Sequence, residues 1–145
     1  MENLEEVIFY TIESAIKTYR QLAQRNIVAS GIDITVDQWL IMKVVLENGG
    51  LKQNEIAEKV FKDSASVTRI IDLLILKEYL SRAVHHKDRR RTQLKLTNKG
   101  KNTLSKVQVI IEKNRTLALK GISENKIKDM SKLLSIVISN CKKQS

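Results

Sequence analysis

The sequence predicts a mainly helical chain that carries one small β-hairpin. Three observations lead there. No proline interrupts its 145 residues, and proline is the commonest breaker of a helix. Apolar residues recur at spacings of three and four through most of the chain, the period of a helix buried along one face. Only between residues 80 and 96 does the period fall to two, as it does in a half-buried strand.

The elements follow in order. From Leu4 to Ile27, one helix stripe holds Leu4, Val7, Ile8, Ile12, Ala15, Ile16, Tyr19, Leu22 and Ala23, opposed by Glu5, Glu6, Glu13, Lys17, Arg20 and Gln24. Ser30-Gly31-Ile32-Asp33 breaks it. Thr35-Val36-Asp37-Gln38 has the spacing of a capping box, in which Thr35 caps and Gln38 bonds back. The helix it starts carries Trp39, Leu40, Met42, Val44, Val45 and Leu46, and stops at Asn48-Gly49-Gly50. Residues Leu51 to Val60 predict a short helix with Ile56, Ala57 and Val60 inward. After Phe61-Lys62-Asp63, a helix runs from about Ala65 to Tyr79, capped by Asp63 or Ser64. Leu80 to His85 and Thr92 to Leu96 read as strands around a charged tip, His86-Lys87-Asp88-Arg89-Arg90-Arg91. Thr97 can cap a last helical region, which Gly121-Ile122-Ser123 divides in two.

Composition narrows the function. Lys and Arg number 26 against 16 Asp and Glu, a formal charge of +10. Such an excess suits a polyanionic partner, nucleic acid or an anionic membrane surface, or is simply a basic exterior. The lone cysteine, Cys141, cannot close an internal disulfide. It reads as a small apolar residue on the last helix and fits a reducing, cytoplasmic setting. No apolar run nears the ~18 residues of a membrane span, and the start, Met1-Glu2-Asn3-Leu4-Glu5-Glu6, is acidic where a secretory leader is basic. No Gly-rich phosphate loop, Cys-x-x-Cys or His-Glu-x-x-His is present, so neither an enzyme nor a cofactor is expected. His85 and His86 are adjacent at a strand end, where neighbours point to opposite faces, so a shared metal is not expected either.

A short helix, a tight turn, a second helix and then a hairpin is the order of a winged helix-turn-helix. A helix fits the major groove, and the small polar start of this one (Ser64, Ser66, Thr68, Arg69) allows close approach to base edges. The basic tip beside it can reach a minor groove, whose negative potential attracts arginine. Other readings stay open: Ser64 as an ordinary cap, Arg69 in a structural ion pair, the tip as a solvated charge cluster.

Several segments taken together resemble the MarR family of bacterial regulators: Thr35-Val36-Asp37-Gln38-Trp39, Asn54-Glu55-Ile56-Ala57-Glu58, Ser66-Val67-Thr68-Arg69-Ile70-Ile71-Asp72, and Asp88-Arg89-Arg90 followed by Leu96-Thr97-Asn98-Lys99-Gly100. The resemblance covers Thr35 to Gly100. It implies a winged helix-turn-helix over residues 31–100 and a homodimer intertwined through helices of residues 1–30 and 101–145. The implied partner is double-stranded DNA with a pseudo-palindromic operator. Arg90 would enter the minor groove, oriented by Asp88, with Arg89 and Arg91 on phosphates. The resemblance also implies a repressor released by a small aromatic or anionic ligand. That ligand would sit where the dimerisation helices meet the winged helix, among Ile12, Ile16, Tyr19, Trp39, Met42 and Leu73; Trp39 and its neighbours read equally as core. A winged-helix module that binds protein or RNA is the alternative. Three departures stand out. Leu73-Leu74-Ile75-Leu76 is apolar all round. Lys52 replaces a Ser or Thr cap. Glu78 stands where a helix-ending glycine is usual, so the turn there is expected to form without a left-handed residue.

Overall fold

A computed structural model describes residues 1–144. After a single 3-10 turn at Leu4–Glu6, the order is α1 (Ile8–Ala29), α2 (Val36–Glu47), α3 (Gln53–Val60), α4 (Ser64–Leu76), β1 (Leu80–Val84), β2 (Thr92–Leu96), α5 (Asn98–Ala118) and α6 (Glu124–Lys143). Two compact units divide the chain, Met1–Asn114 and the segment from Arg115 onward. Among the described residues no helix is long and apolar enough to cross a membrane.

The first unit is built on one aliphatic core. Ile27 of α1, Ile41 and Met42 of α2, Ile56 of α3, Val67, Ile71 and Leu74 of α4, Leu80 of β1 and Val107 of α5 are fully buried in it. Each such side chain stabilises the fold by about 1.5–3 kcal/mol relative to exposure. Because α1 to α5 and β1 each give at least one, and β2 adds buried Leu94, the helix-turn-helix and the hairpin are held as one body. The strands pair antiparallel, Leu80 opposite Leu96 and Val84 opposite Thr92. Leu94 N–H donates to the Gly49 carbonyl (2.9 Å), which ties β2 to the end of α2.

The caps follow the sequence closely. Thr35 Oγ1 accepts from Gln38 N–H (3.0 Å) while Gln38 Oε1 accepts from Thr35 N–H (3.0 Å), the reciprocal box read at that point. Lys52 heads α3 with no side-chain cap of its own; Glu55 accepts its N–H instead (2.9 Å). Asp63, and not Ser64, caps α4, so ordinary capping does not explain Ser64. Thr97 Oγ1 accepts from Gly100 N–H at the head of α5 (3.0 Å).

The expectation for Glu78 is overturned. Glu78 takes the left-handed conformation itself, at φ 65°. Tyr79 N–H donates to Leu74 O and Glu78 N–H to Ile75 O, both at 2.9 Å, the paired bonds that close a helix around a left-handed residue. Tyr79 and Leu74 are both buried, and that apolar contact offsets the roughly 1–2 kcal/mol a side chain costs in this region. Phe61 ends α3 in the same way, at φ 60° with its ring 89% exposed.

The second unit is simpler. Ser123 Oγ caps α6 by accepting from Lys126 N–H (3.3 Å). Met130, Leu133, Ile136 and Ile138 of α6 are exposed.

Candidate nucleic-acid interface

Helix α4 separates two kinds of residue. Val67, Ile71 and Leu74 face the core, while Ala65, Thr68, Arg69 and Asp72 are exposed. Spacings of three and four put each set on one side. At the helix start a chain of bonds fixes the polar side chains. Asp63 Oδ1 accepts from Ser66 N–H (2.7 Å) and Asp63 Oδ2 from the Ser66 hydroxyl (3.0 Å). Ser66 Oγ in turn accepts from Arg69 Nη2 (3.2 Å). The backbone and hydroxyl bonds from Ser66 hold the Asp63 carboxyl below its ordinary pKa, so it stays an acceptor. Thr68 Oγ1 donates to the Ser64 carbonyl (2.9 Å) and accepts from Gln53 Nε2 of α3. Asp72 pairs with Arg82 of β1 at 2.9 Å, which neutralises the one acidic group on the exposed face of α4.

The hairpin tip is built to hold one arginine. Asp88 Oδ1 accepts from both the backbone N–H (3.1 Å) and the Nε (3.2 Å) of Arg90. Those bonds keep the Asp88 carboxyl below its usual range. The Arg90 side chain remains 91% exposed, so its terminal nitrogens project outward from a fixed root. Arg89 is also exposed. Arg91 Nη2 donates to the Gly50 carbonyl (2.5 Å), anchoring the tip to the loop after α2.

Sequence reasoning missed Gln53 and the bonds by which His85 shapes the turn. The strand ends at Val84, so His85 and His86 lie beyond it, and the expectation of opposite faces fails: their rings stack with centroids 4.7 Å apart. His85 is buried. Its Nδ1 accepts from Lys87 N–H and Asp88 N–H, both at 3.1 Å, and so shapes the turn that presents Asp88. Burial lowers the His85 pKa from its ordinary value of 6.5, and the charges of Arg91, His86 and Lys87 lower it further. Protonating Nδ1 would remove the acceptor for both amides. The folded chain therefore binds the proton less readily than the unfolded one. The His85 contribution is complete above about pH 6.5 and is lost as pH falls below it. NMR titration should show His85 titrating below 6.5, with the Lys87 and Asp88 amides shifting alongside it. A His85 that titrates at or above 6.5 would contradict this role.

The residues named for an effector pocket differ in burial. Trp39 and Met42 are buried in the core, Ile12 and Tyr19 are half-buried, and Ile16 and Leu73 are exposed. The Trp39 indole N–H is buried with no hydrogen-bond partner. At the start of α2, Asp37 takes ion pairs from Arg20 of α1 and from Lys62 of the α3–α4 turn, each at 3.2 Å. An open groove of about 290 Å³ lies along α1, lined by Tyr10, Glu13, Ser14, Lys17, Thr18 and Gln21; it shares none of the six named residues. Among the described residues no group of three or more His, Cys, Asp or Glu could hold a metal ion.

Known proteins match this arrangement. The model of the MarR family matches residues 34–92, from the end of the α1–α2 loop through the hairpin tip. The HTH-type transcriptional repressor IacR of Pseudomonas putida is 23% identical over 136 residues, 94% of this chain and 80% of the relative. The S. aureus MepR–DNA complex superposes with a TM-score of 0.82 at 22% identity, covering 94% of this chain and 98% of that one. CouR from Rhodococcus jostii RHA1, bound to p-coumaroyl-CoA, gives a TM-score of 0.84 at 16% identity, covering 94% and 95%. With the exposed polar start of α4, the aspartate-held arginine of the hairpin and the family match in one contiguous segment, the chain belongs to the MarR family of winged helix-turn-helix transcriptional regulators.

Proposed function

We propose that the protein is a homodimeric, sequence-specific regulator of double-stranded DNA that represses transcription. Residues 31–100 form the DNA-binding winged helix, and residues 1–30 and 101–145 of two copies form the dimer. The observation that carries this reading is the pair of exposed, pre-arranged groups in the first unit. One is the polar start of α4, with Ser64, Ser66, Thr68 and Arg69; the other is Arg90, held by Asp88 at the hairpin tip. Arg89 and Arg91 add phosphate contacts, and the net charge of +10 supports the long-range attraction. Exposed apolar side chains on α1 (Ile8, Phe9, Ile16) and on α6 (Leu133, Ile136, Ile138) support the dimer, since contiguous apolar surface marks an interface.

The protein acts by binding and release, without a catalytic step or a cofactor, in the cytoplasm. Support comes from a relative named as a transcriptional repressor. A structural neighbour crystallised with p-coumaroyl-CoA supports a small aromatic or anionic effector. In this chain the charged cluster of Arg20, Asp37 and Lys62 supplies polar groups for such a ligand. Release requires a ligand that binds two conformations unequally.

Gel shifts at rising salt, with random duplex as competitor, test the reading. A specific complex should survive excess random duplex, at two half-sites about one helical turn (~34 Å) apart. Sedimentation should give twice the 16.6 kDa of one chain. A chain that sediments as a monomer and still binds the same operator tightly would overturn the dimer. Equal retention by RNA or by random DNA would favour a different interaction module.

A further inference from the structure

Arg82 stands between the two groups proposed to meet DNA. It is the middle residue of β1, the strand that leads from the end of α4 towards the hairpin tip. Alternation along the strand puts it on the face of Leu80, and its cross-strand partner is Leu94; both leucines are buried. Its guanidinium reaches the exposed face of α4, where Nη2 donates to Asp72 Oδ1 (2.9 Å). The two side chains are 44% and 57% exposed, so water screens the pair and it adds little to the stability of the fold. That bond uses one of the five hydrogens a guanidinium can donate. Between Asp72 and His86 the other cation is Lys77, and it is committed to Asp33 of the α1–α2 loop (3.2 Å).

We infer that Arg82 binds a backbone phosphate of the strand that divides the groove entered by α4 from the groove entered by Arg90. A helix in the major groove and an arginine in the adjacent minor groove lie on opposite sides of one sugar–phosphate strand. A protein that engages both must cross that strand, and here the crossing segment runs from Asp72 to the hairpin tip. Arg82 is its free cation, rooted on the hairpin and held at its head by α4. Asp72 orients it much as Asp88 orients Arg90, and the remaining hydrogens of Arg82 are left for phosphate oxygens. A phosphate contact carries no base information but fixes register, so Arg82 sets where α4 and the tip sit along the duplex. The inference rests on the proposed binding of operator DNA and adds to it a contact from the strand itself.

The test uses the full-length protein and a duplex that it selects from a random pool. Each phosphate of a half-site is replaced in turn by an uncharged methylphosphonate. Neutralising one phosphate between the two grooves should weaken binding on the order of tenfold, the value of one charge-assisted hydrogen bond. Arg82→Gln keeps a donor for Asp72 but no charge; it should bind the unmodified duplex more weakly and be indifferent to that methylphosphonate. Base preference should not change. Asp72→Asn combined with Arg82→Gln separates this role from mere neutralisation of Asp72. If Arg82 only cancelled that charge, the neutral pair would bind as the wild type does; it should instead bind as weakly as Arg82→Gln. Sensitivity is read for each protein as a ratio between two duplexes, so a loss of folded protein does not imitate the effect. An Arg82→Gln protein with the wild-type pattern of sensitive phosphates, or a double variant with wild-type affinity, would overturn the inference while leaving DNA binding intact. A pool that yields no enriched duplex would overturn both.

Discussion

Replacing Arg90 with alanine is expected to remove most specific DNA binding, a loss on the order of 10- to 100-fold for a contact worth ~1–3 kcal/mol. The reason lies in the hairpin tip. Asp88 spends one carboxylate oxygen on both the backbone and the Nε of Arg90, so the guanidinium reaches the groove without first losing much side-chain freedom. Arg90→Lys should not restore binding, because an ammonium lacks the planar fork that Asp88 holds by one edge. Asp88→Asn should cost less, since it loosens the orientation and leaves the charge. Arg89→Ala should lower the salt slope of binding by about one without changing sequence preference, as a phosphate contact does. Arg91→Ala should act through the tip's attachment to Gly50, and its loss should include changed amide shifts around residues 85–91. Fluorescence anisotropy with one selected duplex over a salt series checks all five variants, and amide NMR spectra check the shifts in Arg91→Ala. Unchanged affinity for Arg90→Ala would remove the hairpin from the interface.

The second large effect is on stability. A Cβ on Gly49 would lie inside the van der Waals shell of the Leu94 carbonyl oxygen, a backbone atom that cannot swing aside. Leu94 N–H donates to the Gly49 carbonyl, so alanine there pushes apart the two strands of chain that this bond joins. Gly49→Ala should destabilise the fold by at least ~1–3 kcal/mol, the usual cost of overpacking. Gly121 is the control. It has a positive φ of 84° but open space around its Cβ position, so Gly121→Ala should cost about 1 kcal/mol of backbone strain and no more. Thermal unfolding at equal protein concentration compares them. Equal midpoints would show that the α2–β2 contact contributes little to stability.

Much of the fold was legible because local chemistry dictates it. The Thr35–Gln38 box, the Asn48-Gly49-Gly50 stop, the period-two strands and the Thr97 cap each depend on residues within four positions of one another. The exposed start of α4 and the Asp88–Arg90 pair were legible for the same reason. What stayed hidden depends on distance along the chain. Arg91 meets a carbonyl 41 residues away, and Gln53 meets Thr68 across 15 residues, so no spacing rule exposes either. Glu78 misled for a different cause. Propensity argues against a left-handed glutamate, but burial of Tyr79 and Leu74 on either side of the turn outweighs it.

Helix α4 answers to two masters that scarcely share a residue. Its place in the fold is secured by Val67, Ile71 and Leu74 and by the left-handed turns at Phe61 and Glu78 that bound it. Its exposed side is made of Ala65, Thr68, Arg69 and Asp72. Substitutions in the second set leave the first in place, so the exposed face can change without a matching toll on folding. Lineages descended from such a scaffold can then diverge in the sites they address while their architecture stays recognisable, as it is between this chain and a neighbour sharing 16% of its residues.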